Sequence, residues 1–239
     1  MFTNLYLLVL SLLPAGLFLG LIRSRVPIKS TSEPYFAALT FIGGMVVAPI
    51  SFFLFVMLSW IHGLEALNAP MAYPIHERAI LSFFVISPLE EVLKIWPVIL
   101  MLQYRKGSFR PVDAISCAAA SGLGFAAMEN WYAMYSIGGA DYGRILVIPF
   151  IHMLLTAVSG HGLAISLKRG KGLGVFAWFL LAAILLHGLY DSVEMIGGWV
   201  HFVLLPVVAV LYYRLSTDLN ILGRIVQRKQ KKVFGSRVI

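Results

Sequence analysis

The sequence predicts an all-α polytopic membrane protein, a helical bundle of about seven transmembrane helices with its N-terminus outside and its C-terminus cytoplasmic. Three observations carry this expectation. Hydrophobic residues make up 59% of the 239 and the mean hydropathy is +0.85, well above the roughly 45–50% apolar share of a soluble chain. Only 13% of residues are charged, about half the soluble norm. The apolar residues also fall into seven stretches, each near the ~20 residues that a helix needs to cross hydrocarbon. A disordered chain, a water-soluble enzyme and a nucleic-acid-binding domain are thereby excluded, although the net charge is +8. The single cysteine, Cys117, rules out an intramolecular disulfide framework and any zinc site built from several thiolates.

The first stretch, 4–22, has no Lys or Arg in the ten residues from Met1 to Leu10, and no small-residue cleavage pattern closes it. It is therefore expected to be a retained helix and not a signal peptide. The others lie at 36–61, 79–102, 112–137, 145–167, 173–193 and 199–215. Pro49, Pro88, Pro97, Pro149 and Pro206 fall inside them, which membrane helices tolerate when neighbouring groups satisfy the freed backbone. The intervening loops set the orientation. Arg23, Arg25 and Lys29 follow the first span; Arg105, Lys106 and Arg110 follow the third; Lys168, Arg169 and Lys171 follow the fifth. Arg214 lies at the inner end of the seventh and Arg224, Arg228, Lys229, Lys231, Lys232 and Arg237 follow it, whereas the alternate connections hold only Arg78 and Arg144. Cytoplasmic loops collect Lys and Arg, so this bias places the N-terminus outside. One transmembrane domain is expected over 1–215, with its motif-bearing core at 80–195, followed by a basic cytoplasmic tail at 216–239. That tail reads as topogenic and as a partner for anionic lipid, not for nucleic acid.

The basic residue left over is Lys94, within the third span. Charged side chains at a helix centre cost about 2.5–3.5 kcal/mol each on insertion scales, so those present are usually paired, inward-facing and functional. In Ser87-Pro88-Leu89-Glu90-Glu91-Val92-Leu93-Lys94, helical geometry separates Lys94 from Glu90 by about 40° and from Glu91 by about 60°, so the ammonium reaches either carboxylate. An ion pair at i and i+4 explains one Glu and the Lys but not the second Glu. Adjacent carboxylates are the arrangement that divides into a general base and a general acid.

The fourth span reads Ser121-Gly122-Leu123-Gly124-Phe125-Ala126-Ala127-Met128-Glu129-Asn130. Small residues at 118, 122 and 126 predict a stripe for close helix packing, which leaves the Glu129-Asn130 pair unexplained. His152 enters from the fifth span, with Thr156 one turn on. His187 and Asp191 stand at i and i+4 in the sixth, a spacing at which a carboxylate orients an imidazole or both bind one metal. His161 falls on the opposite side of its helix from His152, and His62, His76 and His201 lie in loops or near span ends, so these four are left aside. With about 1.5 Å of rise per residue, Glu90 and Glu91 lie about 17 Å, Glu129 about 12 Å, His152 about 10 Å and His187 about 9 Å from the outer ends of their helices. One polar layer in the outer half of the membrane is expected.

These residues resemble the PrsW intramembrane proteases, bacterial enzymes that make the first cut in membrane-anchored anti-sigma factors and are distantly similar to the CAAX prenyl endopeptidase and Abi group. The resemblance rests on Glu-Glu-x-x-Lys at Glu90, Glu91 and Lys94, Gly-x-Gly-Phe-Ala-x-x-Glu-Asn ending at Glu129 and Asn130, His152, and His187-Gly-x-x-Asp191. It covers roughly residues 80–195. It implies a multi-pass protein of the cell (plasma) membrane that cleaves membrane-anchored proteins, with Glu90, Glu91 and His152 as catalytic groups and Glu129 and His187 as further site residues.

Peptide hydrolysis requires an activated water, a stabilised oxyanion and a proton for the leaving amine. The sequence has no Gly-x-Ser-x-Gly elbow, no His-Glu-x-x-His helix and no Cys-His signature around Cys117. In one version Glu90 or Glu91 activates water, Lys94 tunes the pair, and His152 with Asn130 stabilises the oxyanion, without a cofactor. In the other, His152, His187 and one or two of Glu91, Glu129 and Asp191 bind Zn2+, leaving another Glu as base. A proton-coupled transporter is the competing class, since buried carboxylates, His and Lys also build proton relays, but no inverted repeat is evident. A membrane scaffold would need none of these groups.

Overall fold

A computed structural model of the chain describes residues 2–25, 35–61, 64–65, 72–105, 109–169, 173–196 and 205–235. No strand occurs among them. The elements are α1 (Phe2–Arg25), α2 (Phe36–Leu58), α3 (Ile75–Leu81), a π-helical turn (Ser82–Ile86), α4 (Ser87–Tyr104), α5 (Pro111–Ile137), α6 (Tyr142–Arg169), α7 (Leu173–Ile196) and α8 (Leu205–Gly235). Since α3, the π turn and α4 follow one another without a break, the described residues form seven rods. The start of the expected seventh span, 199–204, lies outside the described residues, and α8 runs unbroken across position 215 into the basic segment.

Five of these helices, α1, α2, α5, α6 and α7, are long and apolar enough to cross a bilayer. The rod from α3 to α4 is interrupted by Glu90, Glu91 and Lys94, and α8 is rich in basic residues beyond Arg214. The outer faces suit lipid. Leu5, Leu13, Leu17 and Leu21 of α1, Ile42 and Phe53 of α2, and Trp178 and Leu185 of α7 are exposed, more large apolar side chains than soluble monomers leave uncovered. The protein is an all-α polytopic membrane protein.

The centre of the bundle is α5. In its most apolar window 89% of the residues are buried, against 28% for α1 and 22% for α2 and α7. Small side chains explain why it can be enclosed on all sides. A Cβ on Gly124 would stand 1.9 Å from the Phe41 carbonyl oxygen of α2, and one on Gly44 of α2 would stand 2.0 Å from that of Ser121. On the other side, a Cβ on Gly122 would meet the His152 carbonyl oxygen of α6 at 2.5 Å, and Gly160 of α6 lies against Ala118. The expected stripe at 118 and 122 thus packs on α6, and Gly124 adds a second seam against α2. These contacts set α5 and α6 side by side with Glu129 facing His152.

The π turn ends just before the Ser87-Pro88 pair that opens α4. Proline has no N–H to donate and its ring collides with the carbonyl one turn earlier, so the preceding backbone relaxes to a wider turn. Single π turns of this kind occur often at functional sites. Here the turn presents Ser82 to α7, where its hydroxyl donates to Asp191 Oδ2 at 2.6 Å.

Candidate active site

Four helices bring their polar residues to one place. From α4, Glu90 and Glu91 flank Lys94, whose ammonium donates to Glu90 Oε2 at 3.0 Å and to Glu91 Oε1 at 2.9 Å. All three are buried. The ammonium also lies 4.5 Å above the Phe125 ring of α5, a cation–π contact that further compensates a charge held away from water. Backbone is fixed too, since Ser121 of α5 donates to the Lys94 carbonyl at 2.6 Å.

From α7, His187 sets Nδ1 3.0 Å from Glu91 Oε1 and Nε2 3.8 Å from Glu90 Oε2. Asp191, one turn further, lies 3.5 Å from the same Nε2. From α6, His152 places Nε2 3.1 Å from Glu129 Oε2 of α5, and its ring meets that of His187 edge-on with 5.1 Å between centroids. Phe125 stacks on the other side of His152 at 5.8 Å. Thr156 directs its hydroxyl towards Glu91 Oε2 at 3.5 Å.

Glu90, Glu91, Lys94, Glu129, His152, His187 and Asp191 thus form one cluster joined by direct contacts. Asn130 is buried beside them but points elsewhere, donating to the Arg144 carbonyl at 3.4 Å. His161 packs against Phe179, with ring centroids 5.2 Å apart, and His76 is exposed next to Glu77; His62 and His201 lie outside the described residues. Two participants are not legible along the chain. Arg144 reads there as a loop charge, yet its guanidinium bridges Glu129 of α5 and Glu194 of α7. Its signal was Asp141-x-x-Arg144 at the start of an apolar run, a helix N-cap pattern that draws the charge into the first turn. Ser82 could not be found, because only the π turn aims it at Asp191.

One carboxylate and two imidazoles stand ready for a metal. Ligand atoms of Glu90, His152 and His187 all lie within 4.8 Å of one another, and all three residues are buried. Nδ1 of His152 is buried without a hydrogen-bond partner, and such an orphaned group in a native site calls for a water or an ion. Two His and one carboxylate form a ligand set that zinc hydrolases use. The residues present fit a zinc-type ion.

The class is a polytopic membrane protein with a cluster of titratable side chains buried inside its helical bundle. Residues 33–215 match the family described as PrsW family intramembrane metalloprotease. The chain belongs to that family, and is therefore a membrane-embedded peptidase. No curated protein and no solved structure matches the chain.

Proposed function

We propose that this peptidase hydrolyses a peptide bond of single-span membrane proteins, as in the first cleavage of an anti-sigma factor, on the extracytoplasmic side of the membrane. The observation that carries this is the convergence of Glu90, Glu91, Lys94, Glu129, His152 and His187 from four helices. Glu91, with one oxygen held by Lys94, takes a proton from the attacking water as its oxygen adds to the scissile carbonyl. Glu91 then returns that proton to the leaving nitrogen as the C–N bond breaks, while His187 Nδ1, 3.0 Å away, holds its carboxylate in place. Lys94 compensates the charge of both carboxylates. Glu90, His152 and His187 would hold the metal, which when bound supplies a Lewis acid for the carbonyl and an acidified water.

Loop charges support N-outside topology, and with it a site in the outer half of the bilayer. A cut near the extracytoplasmic juxtamembrane segment of the substrate follows, leaving a membrane stub for a later protease. The test is co-expression with a panel of tagged single-span membrane proteins, comparing wild type with Glu91→Gln and His152→Ala and mapping the fragments by mass spectrometry. Cleavage in wild type alone is expected. No cleavage at all, or cleavage that survives both substitutions, overturns the protease assignment of these residues; a cut on the cytoplasmic side overturns the siting. Metal content and activity after chelation decide the metal separately, since full activity in metal-free protein removes it and leaves the carboxylate site standing.

A further inference from the structure

Arg144 opens α6 about two turns before His152 and is held by four contacts. Its backbone N–H donates to Asp141 Oδ1 at 3.0 Å, and its carbonyl accepts from Asn130 Nδ2 at 3.4 Å. One terminal nitrogen of the guanidinium pairs with Glu129 Oε1 and the other lies 3.3 Å from Glu194 Oε1. Glu129 and Asn130 are neighbours on α5, so that helix grips the side chain and the backbone of one residue at once. The other oxygen of Glu129 is the one that stands 3.1 Å from His152 Nε2.

A rim salt bridge that only ties helices together is worth little and has no reason to end on a site carboxylate. This one does, and both of its side chains at that end are largely buried, 23% exposed for Arg144 and 17% for Glu129. Which imidazole nitrogen carries the proton is set by the hydrogen bond that one of them makes. A carboxylate 3.1 Å from Nε2 draws the proton to that nitrogen by its charge and leaves the lone pair on Nδ1, which is buried without a hydrogen-bond partner.

We propose that Arg144 is a positioning residue: it locks Glu129 against His152, so that His152 presents Nδ1 as its free nitrogen. The consequence for turnover rests on the protease reading above, whereas the orientation of His152 does not. Asn130 then belongs to the grip on Arg144, a different task from stabilising an oxyanion.

The test uses full-length protein in lipid nanodiscs with 15N-labelled histidine, the His152 signal being identified by its loss in His152→Ala. At fixed pH, Arg144→Gln is expected to shift the His152 nitrogens away from the Nε2-protonated pattern. Arg144→Lys, which keeps the charge, is expected to restore most of it, and Glu194→Gln, which cuts the other arm of the bridge, to leave it in place. On a cleaved single-span reporter, Arg144→Gln should lower kcat by about 10- to 100-fold, the usual effect of an outer partner of a site histidine, with KM little changed. An unaltered His152 spectrum in folded Arg144→Gln overturns the proposal, as does an equal shift in Glu194→Gln, which would make the bridge a helix staple. Should Arg144→Gln fail to fold, Arg144→Lys decides: wild-type His152 signals with near wild-type kcat support positioning, and displaced signals overturn it. If no reporter is ever cleaved, the protease reading fails while the spectra still decide the role of Arg144.

Discussion

Two carboxylates and an ammonium enclosed among apolar helices are costly to place and costlier to break apart. Lys94 touches both Glu90 and Glu91, so its removal leaves two buried carboxylates with no cation between them. Removing one partner of a buried ion pair destabilises by about 3–5 kcal/mol, and Lys94→Ala is expected to fall in that range, measured by thermal unfolding in detergent. Glu91→Gln keeps the shape and a hydrogen-bonding oxygen but cannot take a proton. Its cleavage rate should fall by at least about 10²-fold with a smaller loss of stability, and a Glu91→Gln enzyme of normal rate would assign the base elsewhere. Ser82→Ala removes the 2.6 Å bond to Asp191. A hydrogen bond to a charged group is worth about 1.5–3 kcal/mol, so the melting point should drop and His187 should lose the support of its neighbour.

At the scale of helices, close approach decides the geometry of the site. The α2–α5 seam has no room for a side chain at Gly124, where a Cβ would stand 1.9 Å from the Phe41 carbonyl oxygen. Backbone cannot yield as a flexible side chain does, and overpacking costs typically about 1–3 kcal/mol. Gly124→Ala should therefore lower stability by that amount, and it should also lower activity, because α5 carries Glu129 and the Phe125 ring against which Lys94 and His152 pack. Gly16 of α1 has nothing within 4 Å of an added Cβ. Gly16→Ala should be neutral, or more stable by up to about 1 kcal/mol from helix propensity. Equal melting points for the two variants would show that the α2–α5 seam yields. The glycines themselves were legible in the sequence as a packing motif. Their partners were not, because a small residue marks a place where something comes close without saying which helix comes.

The whole molecule has a sidedness that loop charge predicts and cysteine labelling can measure. Cys117 is buried at 1% exposure and should resist a membrane-impermeant maleimide, so single cysteines can be added to the natural background. A cysteine at Gly139, in the turn between α5 and α6, should label from outside intact cells. One at Arg105, at the end of α4, should label only after permeabilisation. The reverse pattern would move the site to the cytoplasmic half and contradict extracytoplasmic cleavage.

The class of fold, the helical stretches and most of the polar residues of the candidate site are legible along the chain. The physical reason is the membrane: hydrocarbon demands long apolar helices with internally satisfied backbone, and it makes every ionisable residue inside them conspicuous by its cost. Glu90, Glu91, Lys94, Glu129, His152 and His187 stand out in that way, and helical rise alone puts them at similar depth. Rise gives depth but not azimuth between separate helices. Only the packed bundle decided that His187 faces the Glu90–Glu91 pair while His152 faces Glu129, that Asn130 turns to the Arg144 backbone, and that the π turn before Pro88 brings Ser82 to Asp191. Arg144 shows the limit most clearly: along the chain it is one more charge at a helix end, and it joins the site only because α5 and α7 each present a carboxylate to it.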